Sequence, residues 1–271
     1  MLPAATSILE KHYPSPELRH VVEEYTYRCI TFSAPGSIQK EMPCRAVNSL
    51  DFFLAGQYKT FYSANDESVP FTRCTIRGPR THRKFRIEIN EDFVCFSVRF
   101  KPTGIYQLFG IPMSEFCDQA VDASLILPSI INITGQLLEC TDIATCIKVV
   151  EPFLLGQLAR QHVDTTTVEL LANMIREATS SSRIAQLYKD IPASSRNLER
   201  SFMKEVGVSP KMYSNLLRFE KVMQARKARP GEKWSAIAYD FHYFDQMHLV
   251  KDFKKFLHIT PGAFQPGDFA I

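Results

Sequence analysis

Two stretches of this 271-residue chain, 51 positions apart, carry the same apolar spacing. Leu198, Phe202, Pro210 and Tyr213 fall at intervals of four, eight and three residues, and Leu249, Phe253, Pro261 and Phe264 repeat those intervals. At the same offset Arg200 falls on Lys251, Lys204 on Lys255, and Val208-Ser209 on Ile259-Thr260. An internal repeat of one helical unit requires two copies of one supersecondary module. Each copy reads as a short helix, a tight turn and an amphipathic helix, the helix-turn-helix pattern.

At about 100° per residue, Leu198, Phe202 and Val206 share one helix face while Arg196, Arg200, Met203 and Lys204 take the other. In the second copy Leu249, Phe253, Phe256 and Leu257 share the buried face, and Met247, His248, Lys251, Lys254 and Lys255 project outward. One basic face can be a plain solvated surface. Two, in repeated register and each preceded by a turn, point to DNA. Between them Pro210–Lys227 reads as a single helix anchored by Leu216, Leu217, Phe219, Val222 and Met223. A helix of that length spans about 27 Å, enough to hold two such helices roughly one DNA turn, about 34 Å, apart.

Charge is distributed accordingly. Residues 1–163 hold 16 Lys+Arg against 17 Asp+Glu, and residues 164–271 hold 16 against 12, so the positive excess lies with the repeat. The first half reads as strands over Tyr25–Phe32, Arg45–Leu54, Tyr58–Tyr62, Arg73–Arg77, Lys84–Ile89 and Phe93–Phe100, runs rich in β-branched and aromatic residues punctuated by Gly, Pro, Asn and Asp. After Pro102 helical spacing takes over, around Ile105–Phe109, Ser114–Ala120, Thr134–Leu138 and Ile143–Leu158. From Asp164 onward helices are expected at Thr167–Thr179, Arg183–Lys189, Ser195–Val206, Pro210–Lys227, Trp234–Phe241 and Asp245–His258. The fold class is therefore α+β: an N-terminal domain of sheet and helices, residues 1–163, then an all-α domain, residues 164–271, with two helix-turn-helix modules joined by a long helix. The polar stretch Gln161–Thr166 is the joint, with Asp164 or Thr165 as the next helix's N-cap.

Other chemistries find little support. Seven cysteines are scattered with no C-x-x-C pair, which argues for reduced thiols and against a disulfide framework or zinc knuckle. His242, His248 and His258 do not stack at i, i+4, so no metal is expected, and Asp245 reads as a helix cap. No apolar run approaches the roughly 18 residues of a membrane helix, and the N-terminus lacks a basic leader. The sequence thus predicts a cytoplasmic protein without membrane contact. There is no G-x-S-x-G, P-loop or dinucleotide loop, so no enzyme activity and no cofactor is expected. Phe52, Phe53, Phe96 and Phe100 could line a pocket, with core packing the expected role for most of them, and no ligand-binding residue is named.

The segments LERSFMKEVGVSPKMYSNLLRFEKVMQAR and IAYDFHYFDQMHLVKDFKKFLHITPGAF resemble the AraC/XylS family of bacterial transcription regulators. The likeness covers roughly residues 180 to 264, and VRFKPTGIYQLFGIPMSEFCDQAVD looks like the sensor-type domain that precedes this unit in some members. The resemblance implies a transcription regulator of double-stranded DNA with base contacts near the start of each module's second helix. Those would be Arg196, Glu199 and Arg200, with Asn197 and Lys204 nearer phosphate, and Gln246, Met247 and Lys251, with His248 and Lys255 nearer phosphate. Arg can pair with guanine, Gln with adenine, and Met can pack on a thymine methyl. RNA polymerase, a small-molecule effector and a second copy of the chain are the further partners implied. The alternatives are a constitutive regulator whose first domain dimerises or recruits partners, and an enzymatic first domain fused to a DNA-binding one. Pro192 and His242 depart from the family, which favours glycine in each turn, where a positive φ suits it.

Overall fold

The computed structural model describes residues 5–161, 165–178, 191 and 194–270. Strands β1 (Ala5–His12), β2 (Val22–Phe32), β3 (Ile38–Glu41), β4 (Asn48–Ala55), β5 (Tyr58–Tyr62), β6 (Ser68–Val69), β7 (Cys74–Arg77), β8 (Phe85–Ile89) and β9 (Phe93–Phe100) come first. Helix α1 (Gly104–Phe109), strand β10 (Ala120–Asp122) and helices α2 (Ile130–Leu137) and α3 (Ile143–Leu158) complete the N-terminal half. The remainder is helical: α4 (Thr166–Glu177), α5 (Ser195–Val206), α6 (Pro210–Ala228), α7 (Trp234–Asp240) and α8 (Gln246–Leu257). The strands form two sheets, in the orders β1-β2-β9-β4-β7-β10 and β3-β8-β5-β6, and all the pairings are antiparallel.

Strand alternation gives the larger sheet two different faces. Tyr25 and Tyr27 of β2, Leu50 and Phe52 of β4, and Phe96 and Val98 of β9 point to one side and pack with Leu108, Val150 and Leu154 of the helices. Tyr25 and Phe52 stack on Phe96 at 5.9 and 6.2 Å between ring centres. Thr26, Arg28 and Ile30, interleaved with those tyrosines, face the smaller sheet, as do Ser49, Asp51 and Phe53 and then Phe93, Cys95, Ser97 and Arg99. One sheet thus supplies a core wall and a cavity wall.

Most expected elements lie where their patterns place them, and the departures have local causes. The strand expected from Arg45 begins at Asn48, because residues 42–47 leave the sheet and Cys44 buries itself among Leu216, Phe219 and Phe256 of the helical half. Ser114–Ala120 is not a helix: Met113–Phe116 is a 3-10 turn, and Ala120–Asp122 pairs with Thr75–Arg77. Strand β1 had no expectation, since it is an exposed edge strand with no apolar alternation. The helix expected at Arg183–Lys189 lies outside the described residues. Thr165 is the N-cap of α4, without a side-chain capping bond.

The two halves meet along a polar and apolar seam. Backbone bonds join Arg83 N to the Phe256 carbonyl at 2.7 Å and Ala270 N to the Glu41 carbonyl at 2.9 Å. The Ala46 amide donates to Glu220 Oε1 at 2.9 Å. Arg176 of α4 forks onto Glu23 of β2 at 2.9 and 3.0 Å. These bonds fix the helical modules against the sheets.

Candidate nucleic-acid interface

Helices α5 and α8 occupy equivalent places in the repeat. Ser194 caps α5 by accepting from the Asn197 amide, and Asp245 caps α8 by accepting from the His248 amide. Leu198, Phe202 and Val206 are buried, as are Leu249, Phe253, Phe256 and Leu257. Burying each such side chain contributes roughly 1.5–3 kcal/mol. With those faces inward, Arg196, Asn197, Glu199, Arg200 and Lys204 stand exposed on α5, and Gln246, Met247, His248, Lys251 and Lys255 on α8. Met247 is 61% exposed, a thioether held in water with no core role. Lys204 reaches across to the sheet domain: its ammonium sits 5.1 Å from the Tyr106 ring of α1, and Tyr106 raises its pKa.

The turn before α8 answers how a histidine replaces glycine. His242 adopts φ +57°, the left-handed conformation. Tyr243 N donates to the Ala238 carbonyl at 2.9 Å and His242 N to the Tyr239 carbonyl at 3.0 Å, the paired bonds of a Schellman turn. Buried Tyr243 then hydrogen-bonds Asp252 of α8 at 2.9 Å, and Arg218 of α6 joins the same carboxylate at 3.0 Å. The backbone strain at His242 is thus offset by a turn anchored at both ends. Pro192, the other departure, lies outside the described residues.

A second site lies between the two sheets. It is a cavity of about 580 Å³, lined by β2, β4, β8 and β9 and closed on one side by Lys227 at the end of α6 and by Pro266, Gly267, Phe269 and Ala270 of the C-terminal tail. That volume is within the ordinary range for small-molecule sites. The tail is held there by a parallel bridge between Glu41 and Phe269 and by Arg45 donating to the Ala270 carbonyl at 3.1 Å. Lys40 also bonds the Gly267 carbonyl. No ligand residue was assigned from sequence here. Phe52, Phe96 and Phe100 are core residues as expected, whereas Phe53 also faces the cavity.

The family described as Helix-turn-helix domain (HTH_18) matches residues 187–266, a span holding both α5 and α8. The chain carries an AraC-type helix-turn-helix domain. Ahead of this AraC-type domain, Domain of unknown function (DUF6597) matches residues 10–122. No curated protein matches the chain. Similar solved structures include ToxT from Vibrio cholerae O395, at 10% identity over 99% of both chains with a TM-score of 0.47. Another is wild-type ToxT of V. cholerae strain SCE256 with an unsaturated fatty acid bound, at 12% identity over 95% of this chain and 93% of that one, TM-score 0.45. A RmlC-like cupin protein from Desulfovibrio desulfuricans is similar over 35% of this chain and 81% of its own, at 14% identity and a TM-score of 0.23.

The AraC-type domain marks a DNA-binding regulator. Among the described residues, no helix is long and apolar enough to cross a membrane. Glu23 of β2 is one electrostatic tie between the helical half and the sheets: its pKa falls from 4.5 to about 2, first through the Arg176 hydrogen bond and also through Lys101. The cavity escaped sequence reading because its cations are spread over distant strands. A signal was present in the alternation of Thr26, Arg28 and Ile30, and of Cys95, Ser97 and Arg99, which puts charge on one face of sequences that otherwise read as core.

Proposed function

We propose that this chain is a sequence-specific transcription regulator that senses a small molecule through residues 1–163 and reads two adjacent major-groove segments through residues 164–271. The observation that carries the DNA reading is the repeat of α5 and α8, equal in length, capped at matching positions and each exposing a basic face. In this reading Arg196, Glu199, Arg200, Gln246, Met247 and Lys251 meet base edges. Asn197, Lys204, His248 and Lys255 lie nearer phosphate, where contacts position the protein and make affinity salt-dependent.

The cavity supports the sensing half of the proposal. Its walls come from both domains, since Lys227 and the tail residues line it together with the strands. A molecule bound there touches the sheets and the end of the connector helix at once. Occupancy can then bias how firmly the helical domain is held, including the Lys204–Tyr106 contact that engages a proposed phosphate ligand.

Selection of duplexes from a random library, followed by footprinting on the selected sequence, tests the DNA reading. Two protected major-groove segments centred about 10–10.5 base pairs apart are expected. A single protected segment, or no sequence enrichment, contradicts it.

A further inference from the structure

The cavity walls are polarised. At one end Ile30, Ile38, Phe53, Ile87, Ile89 and Phe93 present an apolar surface. Five arginines, Arg28, Arg45, Arg77, Arg80 and Arg99, line the rest of the wall, with Arg77 reaching back over the Phe53 ring at 5.9 Å. Three carboxylates serve this group. Asp51 Oδ2 lies 2.8 Å from Arg77 Nε, Glu24 accepts from Arg99 at 2.6 Å, and buried Glu220 lies in the field of Arg45 and Arg80. Glu24 is further shared with Lys11 at 2.9 Å. Arg28 hydrogen-bonds Ser7, and Arg80 the Pro43 carbonyl, neutral partners that satisfy geometry without cancelling charge.

Lys40 and Lys227 join the five arginines on the wall, while Asp51 is the one carboxylate among its described lining residues and Glu24 and Glu220 stand behind it, so the cavity carries at least two positive charges more than these carboxylates cancel. Charge of one sign in a low-dielectric space is unfavourable unless a counter-charge enters. Burial first, then the like charges of Arg45 and Arg77, push Arg80 down to about 9. Burial also raises the pKa of Glu220, which weakens one of the carboxylates that offset Arg45 and Arg80. A guanidinium presents a planar fork of donors suited to phosphate and carboxylate oxygens.

We propose that this cavity binds an amphiphile with a doubly charged anionic head, a phosphate monoester or a dicarboxylate, seated on the arginines with its apolar body against Ile30, Phe53, Ile89 and Phe93. The inference rests on the reading of residues 1–163 as the sensing part, and it adds the ligand's chemical class. A dianion offsets more of this positive excess than a monoanion does, and an alcohol offsets none. Arg45 donates to the Ala270 carbonyl at 3.1 Å, so the head lies against the C-terminal tail and ligand charge acts where the two domains meet.

Isothermal titration calorimetry on the full chain, at about pH 8 where a phosphate monoester is a dianion, tests this with octyl phosphate, octanoate, octanol and inorganic phosphate. The expected result is octyl phosphate binding at least about tenfold more tightly than octanoate, with octanol and inorganic phosphate weaker still. Equal affinity for octyl phosphate and octanoate or octanol overturns the dianionic head, and no heat with either alkyl anion overturns the site. Arg28→Gln should reduce the octyl phosphate preference severalfold, and Ile89→Ala should weaken octyl phosphate and octanoate alike. The wild-type series decides the matter even if a variant fails to fold. Duplex-DNA affinity measured on the same preparation separates the two readings: intact DNA binding without the phosphate preference removes only the ligand class, and the preference without DNA binding removes only the regulator.

Discussion

In the first module, the Ser194 hydroxyl accepts from the Asn197 amide at 3.4 Å; 51 residues later, the Asp245 carboxylate accepts from the His248 amide at 2.7 Å. At the other end, α5 stops on Gly207 at φ +98° and α8 on His258 at φ +59°. Both modules therefore keep the same backbone stops and fill them with different chemistry. A charged cap also interacts with the helix dipole, which a serine does not. The anchoring differs more. Position 252 holds a buried Asp bonded to Arg218 and Tyr243, where the equivalent residue of the first module is the half-buried Ser201. The first module instead presses on the sheet domain: a Cβ on Gly207 would meet the Met113 carbonyl at 2.8 Å and Pro79 Cδ at 2.9 Å. The second module adds a brace from within, the Asp252 cluster, to its contacts with the sheet domain at Arg83 and Cys44, whereas the first leans on the sheet domain at Gly207.

That contrast can be broken at several points. Asp252→Ala removes the carboxylate that Arg218 and Tyr243 share in the interior, and a loss of about 3 kcal/mol is expected. Ser201→Ala at the matching position should cost about 0.5 kcal/mol or less. Urea unfolding of the two variants compares the braces, and equal losses would erase the distinction. Next, Gly207→Ala combines positive-φ strain with a backbone clash and should cost about 2 kcal/mol. It should also loosen the first module from the sheets, seen as faster amide exchange in α5 than in α8.

Smaller effects sharpen the comparison. Glu23→Gln removes the carboxylate that Arg176 holds, and about 1–2 kcal/mol should be lost at neutral pH after allowance for solvent screening. The sign follows from a folded pKa below the unfolded one: the contribution is full above 4.5 and disappears as pH falls through about 2. Acid titration of wild type and variant should therefore converge below about pH 2, and a constant gap down to that pH would contradict the ion pair. The smallest change is His242→Gly, expected to gain about 0.5–1 kcal/mol by relieving left-handed strain, less glycine's own entropy cost. A loss of stability there would mean that the histidine side chain supports the turn.

The helical half was legible because its information is local. The 3.6-residue period places Ile143–Leu158 and Ser195–Val206, and Asp245 announces α8 one residue before it starts. The exposure of the proposed contact residues was legible for the same reason, since one apolar face defines the opposite one. The strand at Ala120–Asp122 was not, because it exists only through pairing with Thr75–Arg77, some 45 residues away. Cys44 likewise looks like a strand residue until the helical domain is there to cover it. The cavity depends on three levels of non-local contact: strand pairing, sheet stacking and the tail laid across β3.

The central claim is that both modules read DNA, although they are braced differently. Affinity for the selected duplex, measured for wild type, Arg200→Ala and Lys251→Ala at fixed salt, tests it directly. Both positions are exposed, so folding should be unaffected. Each variant should lose specific affinity, by about 1–3 kcal/mol if the contact is a bidentate base pair. Unchanged affinity in both variants would contradict it.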